Sequence, residues 1–393
     1  MKKIHYPIRI LKVLHTSKIT GPNKSSFVRL KYFDKTRFQI DVASPAEGEF
    51  VQKIKDIGLR HLPLEFEPGK QLSTLCGLIK ILKENKYHIL HGHMIWFAPL
   101  ICIAGKLCAM PVTMVSEHMN SRYHEWLAGR PVRLFFHKMG HVFTNNCLDK
   151  VIAVSEDARE NYIFRQGMRP DKVVYIPNSI DFSAVVRLDT AQKKALKTEL
   201  GFPEDALLIG MVGRLIKEKG YSDGIIAAGD IIQQHPKIRF IVAGDGPEKQ
   251  NLQNLAAQNG LADKIKFLGF VRNIDALMPA FDILIQPSRK ECYESFGNTL
   301  IEAMSSKVLA VASNVNAFKE IIQDGSSGIL FAEKNPADLA AKVISIINQP
   351  ERMRTITDRG YQICQEKFNA QITVKLIEKV YEQTLLEKGY TLC

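Results

Sequence analysis

No apolar run in this 393-residue chain reaches the roughly 20 residues that a membrane-spanning helix needs. The longest, Ile95 to Met110, is broken by Lys106, so no transmembrane segment is expected. A signal peptide is equally unsupported, because Lys12 interrupts the apolar stretch after Lys2 and Lys3 and no small-residue cleavage site follows. The seven cysteines (76, 102, 108, 147, 292, 364 and 393) are odd in number, scattered and free of zinc-type spacing. They read as reduced thiols, and Cys393 lacks the three following residues that prenylation requires. Low-complexity tracts are absent, which excludes extended disorder. The first strand is followed by Lys18-Ile-Thr-Gly21 without a Gly-x-Gly-x-x-Gly turn, which argues against a nicotinamide-dependent dehydrogenase. Acidic residues are scarce in one half only: residues 1–181 hold 27 Lys and Arg against 16 Asp and Glu, and residues 182–393 hold 26 against 25. A basic half attracts nucleic acid, anionic lipid or a phosphorylated substrate. No nucleic-acid module is present, and aromatics do not interleave a basic stripe, so nucleic acid is not an expected partner.

What is present is alternation. Short β-rich apolar runs at 8–15, 38–43, 89–93, 113–117 and 150–154, then at 207–212, 239–243, 265–268, 283–286 and 309–312, are separated by helical patterns. That order predicts an α/β protein with two doubly wound parallel sheets, helices covering both faces. The length exceeds what one core usually supports. The break is expected after Val174 to Asp181, where Pro177 and Asn178 are turn residues, giving domains 1–181 and 182–369. The remaining helical stretch, 370–387, is expected to return to the first domain. In such sheets ligands sit at the carboxyl ends of the strands, so residues just after each strand carry the information.

Met211-Val-Gly-Arg-Leu-Ile-Lys-Glu-Lys-Gly-Tyr221 leaves a strand and places Arg214 and Lys219 before a helix. Two cations over a helix start suit a diphosphate: Arg forks across two oxygens, Lys acts as a point charge, and free N–H groups add donors. Two solvated loop cations read the same way. Ala243-Gly-Asp-Gly-Pro247 has the form of a strand, a glycine turn and a proline-initiated helix, as ordinary βα turns do. Glu294 and Glu302 flank a Phe-Gly turn before a helical pattern from Asn298. On one helix, eight residues would separate them by about 12 Å, beyond the roughly 5–9.5 Å of paired glycosidase carboxylates. They suit ligand positioning better than proton transfer. Glu294 reads as a loop acceptor for sugar hydroxyls, the Asn298 and Thr299 amides as phosphate donors, and Glu302 as an acceptor for a ribose.

The ordered set Gly213-Arg-Leu…Lys219-Gly220, Ala243-Gly-Asp-Gly-Pro247, Phe267-Leu-Gly-Phe-Val271, Pro287-Ser288, Glu294-x-Phe-Gly-x-x-x-x-Glu302-Ala303 and Gly325-x-x-Gly-Ile-Leu330 resembles the GT4 family of retaining glycosyltransferases, which have the GT-B fold. It covers most of the second half. Looser landmarks in the first half are Gly21-Pro22, Leu90-His-Gly-His93, Ser116-Glu-His118, Val151 to Ser155 and Ile176 to Asp181. The resemblance implies two Rossmann-like domains facing across a cleft. It implies Arg214 and Lys219 on the donor pyrophosphate, Glu294 at the sugar and Glu302 on the ribose, with Phe296 and Gly297 also among the donor-binding residues. Gly269, Phe270 and Val271 would line the base pocket, His118 would face the reacting sugar, and Gly21 would lie by the phosphates or acceptor. His93 is a weaker candidate, while His15 and His91 read as structural.

No cofactor or metal is needed by that scheme, because Arg and Lys replace the cation, and an Asp-x-Asp motif is absent. Departures are Gly21-Pro22 for two glycines, Lys307 and Leu309 for a customary Gly and Pro, and Asn316-Ala317 for a later Gly pair. They touch the donor pocket's shape and no catalytic side chain. The expected activity is transfer of a hexose or N-acetylhexosamine from a UDP- or GDP-sugar to a saccharide or lipid-linked acceptor in cell-envelope polysaccharide synthesis (capsule, O-antigen or lipopolysaccharide). The location expected is cytoplasmic and peripheral on an anionic membrane surface. The alternative enzyme is a nucleotide-sugar epimerase on the same scaffold.

Overall fold

The computed structural model describes residues 2–18, 21–67, 69–93, 97–117 and 131–393, with the side chains of 21–23 and 131–138 left aside. The chain forms two units, Met1–Ser179 with Ala370–Cys393, and Ile180–Asn369.

The first unit is built on a seven-stranded sheet. Its strands are β2 (Ile8–Val13), β3 (Phe38–Ser44), β4 (Arg60–Pro63), β5 (Ile89–His93), β6 (Val112–Glu117), β7 (Lys150–Ala153) and β8 (Val173–Tyr175). They are all parallel, in the order β4-β3-β2-β5-β6-β7-β8. Successive side chains of a strand face opposite ways, and β2 shows it: Leu11 and Val13 join one buried core, Ile8 and Ile10 the other. Helices cover both faces, which is why the inner strands β2, β5 and β6 are buried along almost their whole length rather than on alternate residues. The last helix, Ala370–Glu387, gives Val374, Ile377, Val380, Tyr381 and Leu385 to the core that holds Ile8 and Ile10.

The second unit holds β9 (Leu207–Val212), β10 (Ile238–Ala243), β11 (Ile265–Gly269), β12 (Ile283–Gln286), β13 (Leu309–Ser313) and β14 (Ile329–Phe331). These too are all parallel, in the order β11-β10-β9-β12-β13-β14. Both sheets thus follow the doubly wound order 3-2-1-4-5-6, extended in the first unit by a seventh strand, with the reversal between the first and fourth strands. In the second unit the reversal falls between β9 and β12.

Strands that the pattern did not announce are short. β4, β8 and β14 have three or four residues, and β4 is largely solvent-facing. A two-stranded parallel sheet also joins β1 (Lys2–Ile4) to β15 (Tyr390–Leu392). Three residues are too few to display a period. The turn at 243–247 differs as well: the helix after β10 starts at Lys249, so Pro247 precedes it rather than opening it. β2 stops at Val13, two residues before His15.

Candidate functional site

The carboxyl ends of β9, β10, β11 and β12 meet in a knot of short loops. Gly213 N–H donates to Ala243 O (3.0 Å), Leu215 N–H to Asp245 O (2.9 Å), and Gly244 N–H to Gly269 O (2.8 Å). The loops touch so closely that a Cβ on Gly244 would lie 1.8 Å from the Gly213 carbonyl oxygen. A second glycine has a different reason. Gly220 sits at φ 68°, in the left-handed region open to glycine, between the 3-10 turn Lys217–Lys219 and the helix Tyr221–Gln234. A Cβ there would lie 2.0 Å from Pro287 O, just beyond β12.

This packing sets Lys219 against the loop after β12. Lys219 Nζ donates to Glu294 Oε1, and the two side chains are 19% and 17% exposed. The same oxygen accepts from Ser288 Oγ (2.8 Å) and from the Cys292 thiol (3.7 Å). Ser288 is held in turn by Gln286 Nε2 (3.2 Å), and its carbonyl accepts from Ser313 Oγ. Glu294 Oε2 is bonded by no described residue. Tyr293, directly before it, adopts φ 50°, a conformation that costs energy for a non-glycine residue and is over-represented at functional sites. The loop is anchored from outside: Arg289 N–H donates to Glu218 O (2.8 Å), and its guanidinium forks over Asp223 Oδ1 (2.8 Å) and Oδ2 (3.2 Å).

Electrostatics follow from the burial. Burial, the largest single influence, would lower the Lys219 ammonium, but the Glu294 charge, the Cys292 sulfur and the hydrogen bond to Glu294 together outweigh it and raise the group above its ordinary value. Burial, with Glu294 beside it, pushes the Cys292 thiol up to about 12. Burial and then Glu294 also raise the Tyr221 phenol. Tyr221 is 1% exposed, its hydroxyl has no hydrogen-bond partner among the described residues, and it lies 2.7 Å from where a Cβ of Gly213 would stand.

Arg214, by contrast, is exposed and forms no ion pair with a described residue. The expected cations therefore stand in different states, one without an ion pair among the described residues and one paired with the glutamate expected to hold the sugar. Gly297 caps the helix Asn298–Ser305 without any side-chain hydrogen bond, so Asn298 and Thr299 occupy its first turn as expected. Phe296 is buried and stacks edge-on against Phe368 at 5.6 Å, which makes it a support for the turn. Glu302 is half-buried in that helix, while Glu294 lies in the loop before it. Gly269 ends β11 at φ 69°, Phe270 is 75% exposed beside it, and Val271 is half-buried.

In the first unit, Gly21 opens the helix Gly21–Leu30, and His118 lies outside the described residues. His91 is fully buried between Tyr381 OH (2.6 Å) and Ser116 Oγ (2.8 Å), a structural arrangement. His93 stacks on it at 4.7 Å and meets Ser26 Oγ at 3.2 Å. Among the described residues no three His, Cys, Asp or Glu side chains converge as a metal set. Tyr221, Cys292 and the Arg289–Asp223 pair were not singled out by composition or spacing as members of this site, whereas Ser288 was readable as a residue that follows a strand and in the Pro287-Ser288 pair.

Comparison with known proteins accords with this geometry. The family sequence model described as "Glycosyl transferases group 1" matches residues 192–363, and that described as "Glycosyltransferase Family 4" matches residues 30–184. The chain is 29% identical over 252 residues to the phosphatidylinositol N-acetylglucosaminyltransferase gpi3 subunit of Schizosaccharomyces pombe, covering 64% of this chain and 52% of that protein. The chain thus spans about half of that relative's length. It is 23% identical over 398 residues to the Escherichia coli UDP-Gal:alpha-D-GlcNAc-diphosphoundecaprenol alpha-1,3-galactosyltransferase, covering 99% and 100%. Among solved structures, Anabaena Alr3699/HepE in complex with UDP-glucose superposes with a TM-score of 0.81 at 21% identity, covering 96% of this chain and all of that one. At that identity the likeness speaks for the fold.

Proposed function

The chain belongs to the group 1 glycosyl transferases of the family 4 type, with the GT-B fold, and from that premise we propose the reaction it performs. It moves a hexose or N-acetylhexosamine from a nucleoside-diphosphate sugar to a hydroxyl of a lipid-linked saccharide, with retention at the anomeric carbon. The observation that carries this reading is the cluster where β9 and β12 end: an arginine and a glutamate oxygen that no described residue pairs with, and a lysine held by that glutamate.

Arg214 and Lys219 take the diphosphate. As the bond between the anomeric carbon and the phosphate oxygen breaks, they stabilise the charge that gathers on the leaving group. The acceptor hydroxyl oxygen bonds to the same face of the anomeric carbon, and its proton passes to the departing phosphate oxygen. Glu294 Oε2 accepts from a sugar hydroxyl while its other oxygen stays anchored by Ser288. Glu302 accepts from the ribose, the first-turn amides of the helix Asn298–Ser305 face phosphate, and Phe270 with Val271 receives the base. The lipid-linked acceptor and an envelope polysaccharide pathway are supported by the names of relatives alone, the E. coli galactosyltransferase among them.

The test incubates the enzyme with UDP-, GDP- and ADP-sugars, with and without a diphospholipid-linked saccharide, and follows nucleotide release and the anomeric proton signals of the product. Acceptor-dependent release with a retained anomer is expected. Conversion of the sugar with donor alone would mark an epimerase, and no consumption of any donor would refute the reading.

A further inference from the structure

We propose that Tyr221 is a positioning residue for the donor-bound state: its hydroxyl donates to Glu294 Oε1 when a nucleoside diphosphate draws Lys219 away. The proposal rests on the reading above that Arg214 and Lys219 take the diphosphate. Tyr221 opens the helix Tyr221–Gln234, two residues past Lys219, and belongs to the apolar core that holds Met211, Leu215 and Ile225. Phenylalanine would fill the same place in that core. The tyrosine instead brings a hydroxyl that is sealed from solvent and bonded by no described residue. Buried hydroxyls nearly always find a partner, because leaving one unpaired opposes folding. An orphan of this kind beside a ligand site is accounted for by a second arrangement of the site that pairs it.

The surroundings identify that arrangement. The hydroxyl lies against Gly213, between the end of β9 and Arg214. After burial, the Glu294 charge acts on it most strongly, ahead of Cys292, and all three effects hold the phenol's proton in place. It is therefore a hydrogen-bond donor close to a carboxylate. Glu294 Oε1 accepts from Lys219 Nζ, Ser288 Oγ (2.8 Å) and the Cys292 thiol (3.7 Å). Lys219 is the one cation among these donors. Once the diphosphate takes it, the oxygen keeps a single hydroxyl and a long thiol contact, on a side chain that is mostly buried. A carboxylate stripped of its cation there is destabilised. Tyr221 holds the spare hydrogen, and turning it onto Oε1 replaces the lysine's bond while Oε2 stays open for a sugar hydroxyl. Gln286 Oε1, at the end of β12, is a second buried acceptor that no described residue pairs with. It is uncharged, and the amide's bond to Ser288 does not involve Lys219, so moving the lysine creates no new demand there.

The test titrates bare UDP and GDP by calorimetry into the full chain, Tyr221→Phe, Glu294→Gln and the double variant. Denaturant unfolding of each protein is measured without nucleotide. Tyr221→Phe should keep or gain stability without nucleotide, yet bind the diphosphate about five- to tenfold more weakly. In Glu294→Gln, Lys219 is released before the ligand arrives, so adding Tyr221→Phe should change affinity by less than about twofold. A purely structural tyrosine would give the same effect in both backgrounds. Equal affinity of the unaltered chain and Tyr221→Phe, or a loss of nucleotide-free stability, would overturn the proposal. Equal weakening in both backgrounds would overturn it too, as a bond to Gln286 Oε1 predicts. Absence of diphosphate binding by the unaltered chain would instead sink the transferase reading, and the proposal with it.

Discussion

Replacing Glu294 with Gln preserves the side chain's shape and removes the charge that holds Lys219. Exposed ion pairs contribute about 0–1 kcal/mol, and breaking a fully buried pair costs about 3–5 kcal/mol. This pair, at 19% and 17% side-chain exposure, lies between them. After discounting for solvent screening, the loss of stability should be about 1–2 kcal/mol, or about 3–6 °C in Tm for a unit of this size. Binding should move the other way. In the unliganded protein Lys219 is occupied by Glu294, so a diphosphate must draw it from its partner. Freed in Glu294→Gln, Lys219 should bind a bare nucleoside diphosphate about five- to tenfold more tightly, while sugar transfer falls by about 100-fold or more because the hydroxyl acceptor is weakened. Calorimetric titration with UDP and GDP, scanning fluorimetry and a transfer assay read the three effects. A double-mutant cycle with Lys219→Met isolates the pair, since removing both charges should recover most of the lost stability. Weaker nucleotide binding by Glu294→Gln, or unchanged stability, would refute the reasoning.

Other expectations rest on single residues. Tyr221→Phe removes a buried hydroxyl that has no partner among the described residues, so the unliganded protein should unfold no earlier and up to about 1 kcal/mol later; a clear loss on denaturant titration would show an unseen bond. Gly220→Ala forces a Cβ into Pro287 O at φ 68°, and should cost about 2 kcal/mol or more and weaken nucleotide binding, both read by thermal shift with and without UDP. Lys12 lies buried on β2 against the Phe33 ring, and burial, with Arg29 close by, pushes its ammonium down to about 7. Between about pH 7 and its ordinary 10.5 the unfolded chain carries a proton that the native state lacks, so this group makes stability rise with pH there. Lys12→Met should flatten that slope and add about 2–4 kcal/mol below pH 7; parallel urea midpoints for both proteins from pH 6 to 10 would contradict it.

Sequence pattern reveals most where a segment is apolar throughout. Of the inner strands, β9 is an unbroken apolar run, β10 and β12 are apolar but for Arg239 and Gln286, and β2 and β5 were readable although Arg9, Lys12, His91 and His93 interrupt them, because strands covered on both faces need mostly hydrophobic runs. The short edge strands and the β1–β15 pair could not, since backbone pairing with a neighbour rather than side-chain pattern defines them. In the candidate site the identities of Arg214, Lys219 and Glu294 were readable as residues that follow strands. Their states were not. Lys219 and Glu294 lie 75 positions apart, and whether they meet depends on Gly220 packing under Pro287. The orphan hydroxyl of Tyr221 and the clamp of Arg289 on Asp223 likewise arise only once two loops are brought together.

The central claim is that the ends of β9 and β12 hold a nucleotide sugar by its diphosphate, with Arg214 as the cation that no described residue pairs with. Calorimetric titration of the intact chain and of Arg214→Ala with UDP-, GDP- and ADP-sugars tests it most directly. At least one donor should bind, and Arg214→Ala should bind it at least about tenfold more weakly, about 1.4 kcal/mol, with an unchanged Tm. Failure of all three donors to bind, or equal affinity in the variant, would contradict the account.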